Sequence, residues 1–228
     1  MEKVQDQAWN RAGRDRKEDR QTALTRARYD RIAPIYDTME WLVETSAFQR
    51  WRRNLWSRLP SGQVLEVGVG TGKNMAYYPA GARVTAIDLS SRMLVRARRR
   101  AQSLGLDVDL RVMDVQRLQF PDATFDAAVS TFVFCSVPDP VRGLRELGRV
   151  VRPGGDVWLL EHVRIDRPIV GALMDALNPL VVRIMGANIN RRTVENVRLA
   201  GLQIVQVENV RGELVKLIRA RSQSLQIT

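Results

Sequence analysis

Val64-Leu65-Glu66-Val67-Gly68-Val69-Gly70-Thr71-Gly72 joins an apolar β-strand, a carboxylate near its end and a turn with glycine at every second position. Residues without a β-carbon let the backbone approach a ligand and tolerate positive φ, so a strand feeding such a turn is suited to cradling one. Spacing excludes two familiar glycine patterns. The dinucleotide fingerprint G-x-G-x-x-G requires glycine where Lys73 stands, and the phosphate loop G-x-x-x-x-G-K-[ST] requires glycine at Val67 and a hydroxyl at Asn74.

Working outward, Arg83-Val84-Thr85-Ala86-Ile87-Asp88 reads as a second strand ending in a carboxylate about 20 residues past the first glycine, where a ribose hydroxyl pair would be bound. Leu110-Arg111-Val112-Met113-Asp114-Val115 reads as a third, with Asp114 placed to accept from an adenine amino group. Capping of the helices that follow is the alternative role for both aspartates. Phe125 to Thr131 is a buried fourth strand, Pro140 to Val151 is helical and stops at Arg152-Pro153-Gly154-Gly155, and Asp156 to Val163 is a fifth strand. Residues 203 to 208 and 213 to 220 form an antiparallel pair closing the sheet. Strands alternating with helices predict an α/β fold with helices on both faces.

A chain of 228 residues suffices for one compact domain with a large core. Within it, residues 1–58 are expected to form a helical lid or membrane-interface segment, and residues 59–228 the catalytic domain. A single cysteine, Cys135, excludes an intrachain disulfide framework and fits a reducing compartment; one cysteine and one histidine argue against a zinc site, so no metal is expected. The charged amino terminus reads as neither signal peptide nor membrane span, which suggests a cytoplasmic protein. A net charge of +11 implies attraction to polyanions, nucleic acid or an anionic membrane, without choosing between them. The densest basic cluster, Arg92, Arg96, Arg98, Arg99 and Arg100, reads chiefly as a solvated helix face.

Two segments fall outside the alternation. Residues 1 to 58 become amphipathic, placing Tyr29, Ile32, Tyr36, Met39, Trp41, Phe48, Trp51 and Trp56 among arginines, which suits either a membrane interface or a helix packed on the sheet. Pro168 to Gly186 is nearly all apolar and is expected to break at Pro179 into two halves covering the substrate mouth, with a buried hairpin as the alternative.

The tract Glu66 to Gly72, with Asp88, Asp114 and Leu147-Gly148-Arg149-Val150-Val151-Arg152-Pro153-Gly154-Gly155, resembles class I S-adenosylmethionine-dependent methyltransferases across residues 60 to 163. The resemblance implies a Rossmann-like seven-stranded sheet, S-adenosyl-L-methionine as cofactor and S-adenosyl-L-homocysteine as product. Tyr29-Asp30-Arg31-Ile32-Ala33-Pro34-Ile35-Tyr36-Asp37 with Trp51-Arg52 looks like the lid of quinone-ring and phospholipid methyltransferases. Phe132-Val133-Phe134-Cys135-Ser136-Val137 and Leu160-Glu161-His162-Val163 are similar to soluble-type bacterial phosphatidylethanolamine N-methyltransferases and to alkyl thiol methyltransferases.

Carried over by position, the family pattern implies the methionine part on Gly68, Gly70 and Gly72, the ribose on Asp88, and the adenine near Leu89, Met93, Asp114 and Val115. Thr131 and Phe132 would line the floor, and Glu66 would order the turn and reach the cofactor's amino group directly or through water. Aromatic faces suit a methylated cation, making Tyr36, then Tyr29, the candidates for the acceptor nitrogen. His162 is the one imidazole able to take a proton at neutral pH, although an amine that loses its proton to water needs no base. Arg192 and Arg183 are candidates for a phosphodiester. The expected partners are a phospholipid substrate and an anionic membrane surface met peripherally at the inner face of the cell membrane. No nucleic acid and no obligate protein partner are expected, since the segment after the fourth strand lacks an Asn/Asp-Pro-Pro-aromatic motif and no separate nucleic-acid module is visible.

Overall fold

A computed structural model describes residues 19–34 and 46–223. Helix α1 covers residues 19–34 and α2 Ser46–Trp56. The sheet and its crossovers follow: β1 (Gln63–Val67), a 3-10 turn at Met75–Tyr77, β2 (Arg83–Asp88), α3 (Ser91–Ser103), β3 (Asp109–Val112), β4 (Phe125–Thr131), α4 (Pro140–Val150), β5 (Val151–His162), α5 (Pro168–Met185), α6 (Thr193–Leu199), β6 (Gln203–Arg211) and β7 (Val215–Arg221). The seven strands lie in the order β3-β2-β1-β4-β5-β7-β6. Neighbours from β3 to β5 pair in parallel, while β7 runs antiparallel between β5 and β6.

Residue alternation along the strands divides the core into two layers. Leu65 and Val67 of β1, Ala128 of β4 and Leu159 of β5 face one side, where they pack with Leu144, Leu147 and Val150 of α4 and Val197 of α6. Val64, Val129 and Leu160 face the other, against Leu55 and Trp56 of α2 and Leu94, Ala97 and Ala101 of α3. Burial on both faces explains why β1 and β4 carry neighbouring apolar residues, Val64-Leu65 and Ala127-Ala128-Val129, instead of strict alternation. Helix starts follow local chemistry: Ser90 accepts from Met93 N at 3.1 Å to cap α3, and Asp139 accepts from Arg142 N at 2.9 Å ahead of Pro140 to cap α4.

The structure revises several boundaries. β3 stops at Val112, so Asp114 sits two residues beyond the strand. The final strands extend to Arg211 and Arg221, and β5 begins at Val151 with an irregularity opposite Phe125/Ala127. The larger correction concerns Pro179, which does not split its segment: α5 is one helix through the proline. Proline removes one hydrogen bond, to the carbonyl of Asp175, and on an exposed helix that carbonyl can turn to water. Nearby side chains hold the geometry, with Asp175 paired to Arg164 at 2.8 Å and Asn178 accepting from Ile189 N at 3.0 Å. Nor is the segment a buried hairpin. Only Gly171 and Met174 of the described residues in α5 are buried, while Ile169, Leu173, Leu177 and Leu180 are 86%, 57%, 45% and 57% exposed.

Candidate active site at the carboxyl edge of the sheet

In a parallel sheet, ligands bind beyond the carboxyl ends of the strands where the strand order reverses. Here the chain leaves β3 and returns on the other side of β1 as β4, so the reversal lies between β1 and β4. A cavity opens there, about 840 Å³ with its mouth included. Gly68 and Gly70 from the turn, Asp88 and Leu89 beyond β2, Met93 of α3, Asp114 and Val115 beyond β3, and Thr131 and Phe132 at the end of β4 all line it.

The turn needs its glycines for separate reasons. At Gly68, with φ of +66°, an added Cβ would lie 2.3 Å from Val133 Cγ2, so the turn and the loop after β4 could not pack. At Gly70, with φ of +55°, a Cβ would meet nothing within 4 Å, so its backbone is bare toward the cavity. Gly72, at φ of +83°, packs on Met75 and does not line the cavity.

Asp88 ties turn to strand. One carboxylate oxygen accepts from Gly70 N at 2.9 Å and the other from Ser90 N at 2.8 Å. Burial lifts its pKa to about 6 against the pull of those two N–H groups, with the nearby charge of Asp30 raising it further. Asp114 accepts from Gln116 N at 2.9 Å, from Gln116 Nε2 and from the Thr22 hydroxyl at 3.4 Å, so α1 reaches across this end of the cavity.

Glu66 lies behind the turn, not in the cavity wall. It is buried, accepting from Asn74 Nδ2 at 2.6 Å and from the Tyr78 hydroxyl, and burial lifts its pKa to about 7. Asn74 also donates to Thr131 Oγ1 at 3.1 Å and accepts from Arg52 Nη1 at 2.8 Å, so the carboxylate acts on the cavity through Asn74.

Helix α1 roofs the site. Tyr29 lines the cavity and shares a 2.8 Å hydrogen bond with Ser136 Oγ, and burial raises its phenol pKa far above the usual value. Asp30 accepts from the Ser90 hydroxyl at 2.6 Å, while Arg92 and Arg96 donate to the Asp30 and Pro34 carbonyls. Two members of the basic cluster on α3 thus hold the roof down rather than simply facing solvent. Tyr36 lies outside the described residues.

The floor is strained and aromatic. Phe132 has φ of +57°, an uncommon value for a residue with a β-carbon and one that collects at functional sites. Its ring stacks on His162 at 4.5 Å between centroids and meets Phe48 of α2 at 5.5 Å. His162, the last residue of β5, supports this ring but does not line the cavity; burial and the Arg211 charge push its pKa down. Beneath the strained turn, the buried Glu161 accepts from Ser130 Oγ at 2.8 Å, Val133 N at 3.0 Å and Phe134 N at 3.2 Å. Burial lifts its pKa to about 7, and pushes the neighbouring Cys135 thiol up to about 12.

Neither candidate arginine lines the cavity. Arg183 is exposed in the last turn of α5, and Arg192 is exposed at the start of α6, 3.9 Å from Glu195. The segment between them touches the site differently: Asn188 donates to the Cys135 carbonyl at 2.9 Å and Arg191 to the Val137 carbonyl at 2.6 Å. Those contacts join the far end of α5 to the loop that walls the cavity.

Sequence reasoning gives Arg52 only as part of the lid resemblance and assigns no role to Asn74 or Tyr78. A signal for Arg52 exists, since Phe48, Trp51, Arg52 and Leu55 share the spacing of one helix face, which places an arginine among residues bound for the core. Among the described residues no group of histidine, cysteine and acidic side chains could hold a metal ion. The cavity fits an elongated nucleoside: bare backbone at Gly70, one carboxylate beyond each of β2 and β3, and an apolar floor beyond β4.

A methyltransferase domain family matches the chain over residues 65–159. A phosphatidylethanolamine N-methyltransferase of Cereibacter sphaeroides is 41% identical over 145 residues, covering 63% of this chain and 70% of that one. The ubiquinone/menaquinone biosynthesis C-methyltransferase UbiE of Bdellovibrio bacteriovorus is 34% identical over 157 residues, 66% of each chain. Among solved structures, geranyl diphosphate C-methyltransferase from Streptomyces coelicolor superposes with a TM-score of 0.63 at 16% identity, covering 76% of this chain and 78% of that one. The chain belongs to the class I S-adenosylmethionine-dependent methyltransferases, and S-adenosylmethionine is its cofactor.

Proposed function

We propose that this methyltransferase transfers methyl groups to the amino group of a phosphatidylethanolamine headgroup at a membrane surface, repeated transfers leading to phosphatidylcholine. The observation that carries the reading is the exposed aliphatic face of α5, whose far end is tied to the loop walling the cavity. An apolar helix face set among arginines suits the boundary between headgroups and acyl chains. Among the described residues no helix is long and apolar enough to cross a membrane, so the association we propose is peripheral, at the inner face of the cell membrane. The 41% identity to the Cereibacter enzyme supports the acceptor.

When bound, the cofactor supplies a methyl group on a sulfonium; the amine lone pair forms the new C–N bond as the C–S bond breaks. The chain's part is alignment and exclusion of water. Thr131 and Phe132 form the floor, Tyr29 closes the roof through Ser136, and Glu161 fixes the backbone between them. Holding two reactants in line in this way can contribute about 7 to 11 kcal/mol. The ammonium proton leaves to water before the amine enters, with His162 serving as support for Phe132. Arg183, in the last turn of α5, and Arg192, at the start of α6, are exposed, and in this reading they meet headgroup phosphates outside the cavity.

A quinone ring is the second reading, supported by the 34% identity to UbiE and the apolar β4 side of the cavity. Incubation of the pure protein with methyl-labelled cofactor and phosphatidylethanolamine vesicles, with a demethylated quinone in parallel, decides between them. Label in mono-, di- or trimethylated lipid is the expected result; label in the quinone alone overturns the reading.

A further inference from the structure

On the β4 side of the cavity the polar side chains differ in what they offer a ligand. Arg52 only donates, and Thr131 accepts from Asn74 Nδ2 at 3.1 Å while its own hydroxyl proton has no acceptor among the described residues. Ser136 lines the cavity from the loop after β4, its backbone fixed by donation from Ser136 N to the Val133 carbonyl at 2.9 Å. Its hydroxyl has two partners, the Tyr29 hydroxyl at 2.8 Å and Cys135 Sγ at 3.7 Å. Acidity sets the direction of this chain. A phenol is a stronger acid than an alcohol, so Tyr29 donates to Ser136, and burial keeps the phenol from losing its proton altogether. The Cys135 thiol, also kept protonated by burial, donates to the Phe132 carbonyl at 3.5 Å and leaves its sulfur to take the Ser136 proton. What Ser136 Oγ still has for an occupant of the cavity is one lone pair and no proton.

An amine attacking a methyl group must keep its own lone pair turned to the carbon, so the groups around it have to accept its N–H bonds and not donate to it. We propose that Ser136 accepts an N–H of the substrate amine and thereby turns the lone pair toward the methyl group. The inference rests on the phosphatidylethanolamine reading and assigns Ser136 as the residue that orients the acceptor. In the transfer the lone pair forms the C–N bond while the C–S bond breaks with its electrons left on sulfur, and the ammonium so formed gives its proton to water before the next round. Each round replaces one N–H by N–CH3. The primary amine of phosphatidylethanolamine and the secondary amine of its monomethyl form have an N–H for Ser136, and the tertiary amine of the dimethyl form has none.

Initial rates on vesicles of each of these three lipids, measured separately with methyl-labelled cofactor, test it. Ser136→Ala should slow methylation of the primary and secondary amines by about three- to tenfold, the worth of one neutral hydrogen bond, and of the tertiary amine by at most about twofold. Tyr29→Phe removes the donor behind Ser136 but leaves its lone pairs, so it should slow all three lipids by the same factor. An equal loss for all three in Ser136→Ala would show that Ser136 only anchors the roof and would overturn the inference. A loss confined to the primary and secondary amines in Tyr29→Phe would move the N–H contact to the tyrosine and overturn it as well. Wild-type protein that methylates none of the three would instead remove the phosphatidylethanolamine reading, and this inference with it.

Discussion

Asp88 concentrates what single residues decide here. It is positioned by Gly70 N and Ser90 N, and it lines the cavity at the strand end where ribose hydroxyls are expected to donate. Asp88→Ala should lower cofactor affinity by about a hundredfold or more in calorimetry, because a charged acceptor serving two donors is lost together with the anchor of the turn. The pH dependence has a definite sign. With its pKa near 6, the carboxylate is ionised at pH 7.5 and takes a proton as pH falls through 6, so affinity should weaken several-fold between pH 7.5 and about 5. Asp88→Asn should bind weakly and lose most of that slope; a wild-type profile in the variant would remove Asp88 as its origin. Glu161 makes a second test. Glu161→Ala strands two backbone N–H groups and a hydroxyl, costing about 2–4 kcal/mol in urea unfolding, whereas Glu161→Gln keeps an acceptor and should cost far less. The folded carboxyl holds its proton up to about 7 against 4.5 in the unfolded chain, so its share of stability declines as pH climbs through that interval, and Glu161→Gln should flatten the decline. Asp88 is legible from sequence because a strand end and a fixed distance from the first glycine suffice to place it. Arg52 and Asn74 are not, since their meeting depends on how α2 crosses the turn, a tertiary fact that local spacing does not encode.

Elements are legible where the period is unambiguous and obscure where one residue type dominates the pattern. The full span of β4 can be read because burial on both faces leaves consecutive small and apolar residues, Ala127-Ala128-Val129, between Phe125 and the turn that follows. Pro179 of α5 misleads, because the rule that proline ends helices assumes no compensation, and here Asp175 and Asn178 are held by Arg164 and by the chain after the helix. The exposed stripe of α5 at positions 169, 173, 177 and 180 carries an element-scale prediction. Leu173→Asp combined with Leu177→Asp should cut sedimentation with anionic vesicles by about tenfold or more, since acidic side chains are strongly disfavoured in the apolar boundary, while cofactor affinity stays as in wild type. Vesicle binding that survives the double change would move the contact to another surface. Helix α1 teaches a different lesson. Its aromatic and basic composition is equally compatible with lipid and with protein, and the structure places the described part across the cavity, with Thr22, Thr25 and Tyr29 facing the site.

The whole molecule carries a net charge of +11, and many of its arginines are engaged internally: Arg149 with Glu146 and Asp122, Arg164 with Asp175, Arg219 with Asp156, Arg96 with a carbonyl of α1. The surplus still favours anionic surfaces. Raising salt from about 0.05 to 0.5 M should therefore release much of the vesicle-bound protein as the Debye length shrinks, leaving a residue held by the aliphatic stripe. Association indifferent to salt would mean that apolar insertion alone holds the protein. Net charge, like fold class, is legible in the amino-acid sequence; which arginines remain available is not, because packing settles that. The reversal of strand order between β1 and β4 has a consequence beyond this chain. With the nucleoside held at the β2 and β3 end and the acceptor at the β4 end, as proposed, the two could diverge independently. Grafting residues 164–192 from a relative with another acceptor should then redirect the methyl group while affinity for S-adenosylhomocysteine holds steady, and a graft that disturbed both together would show the wings to be coupled.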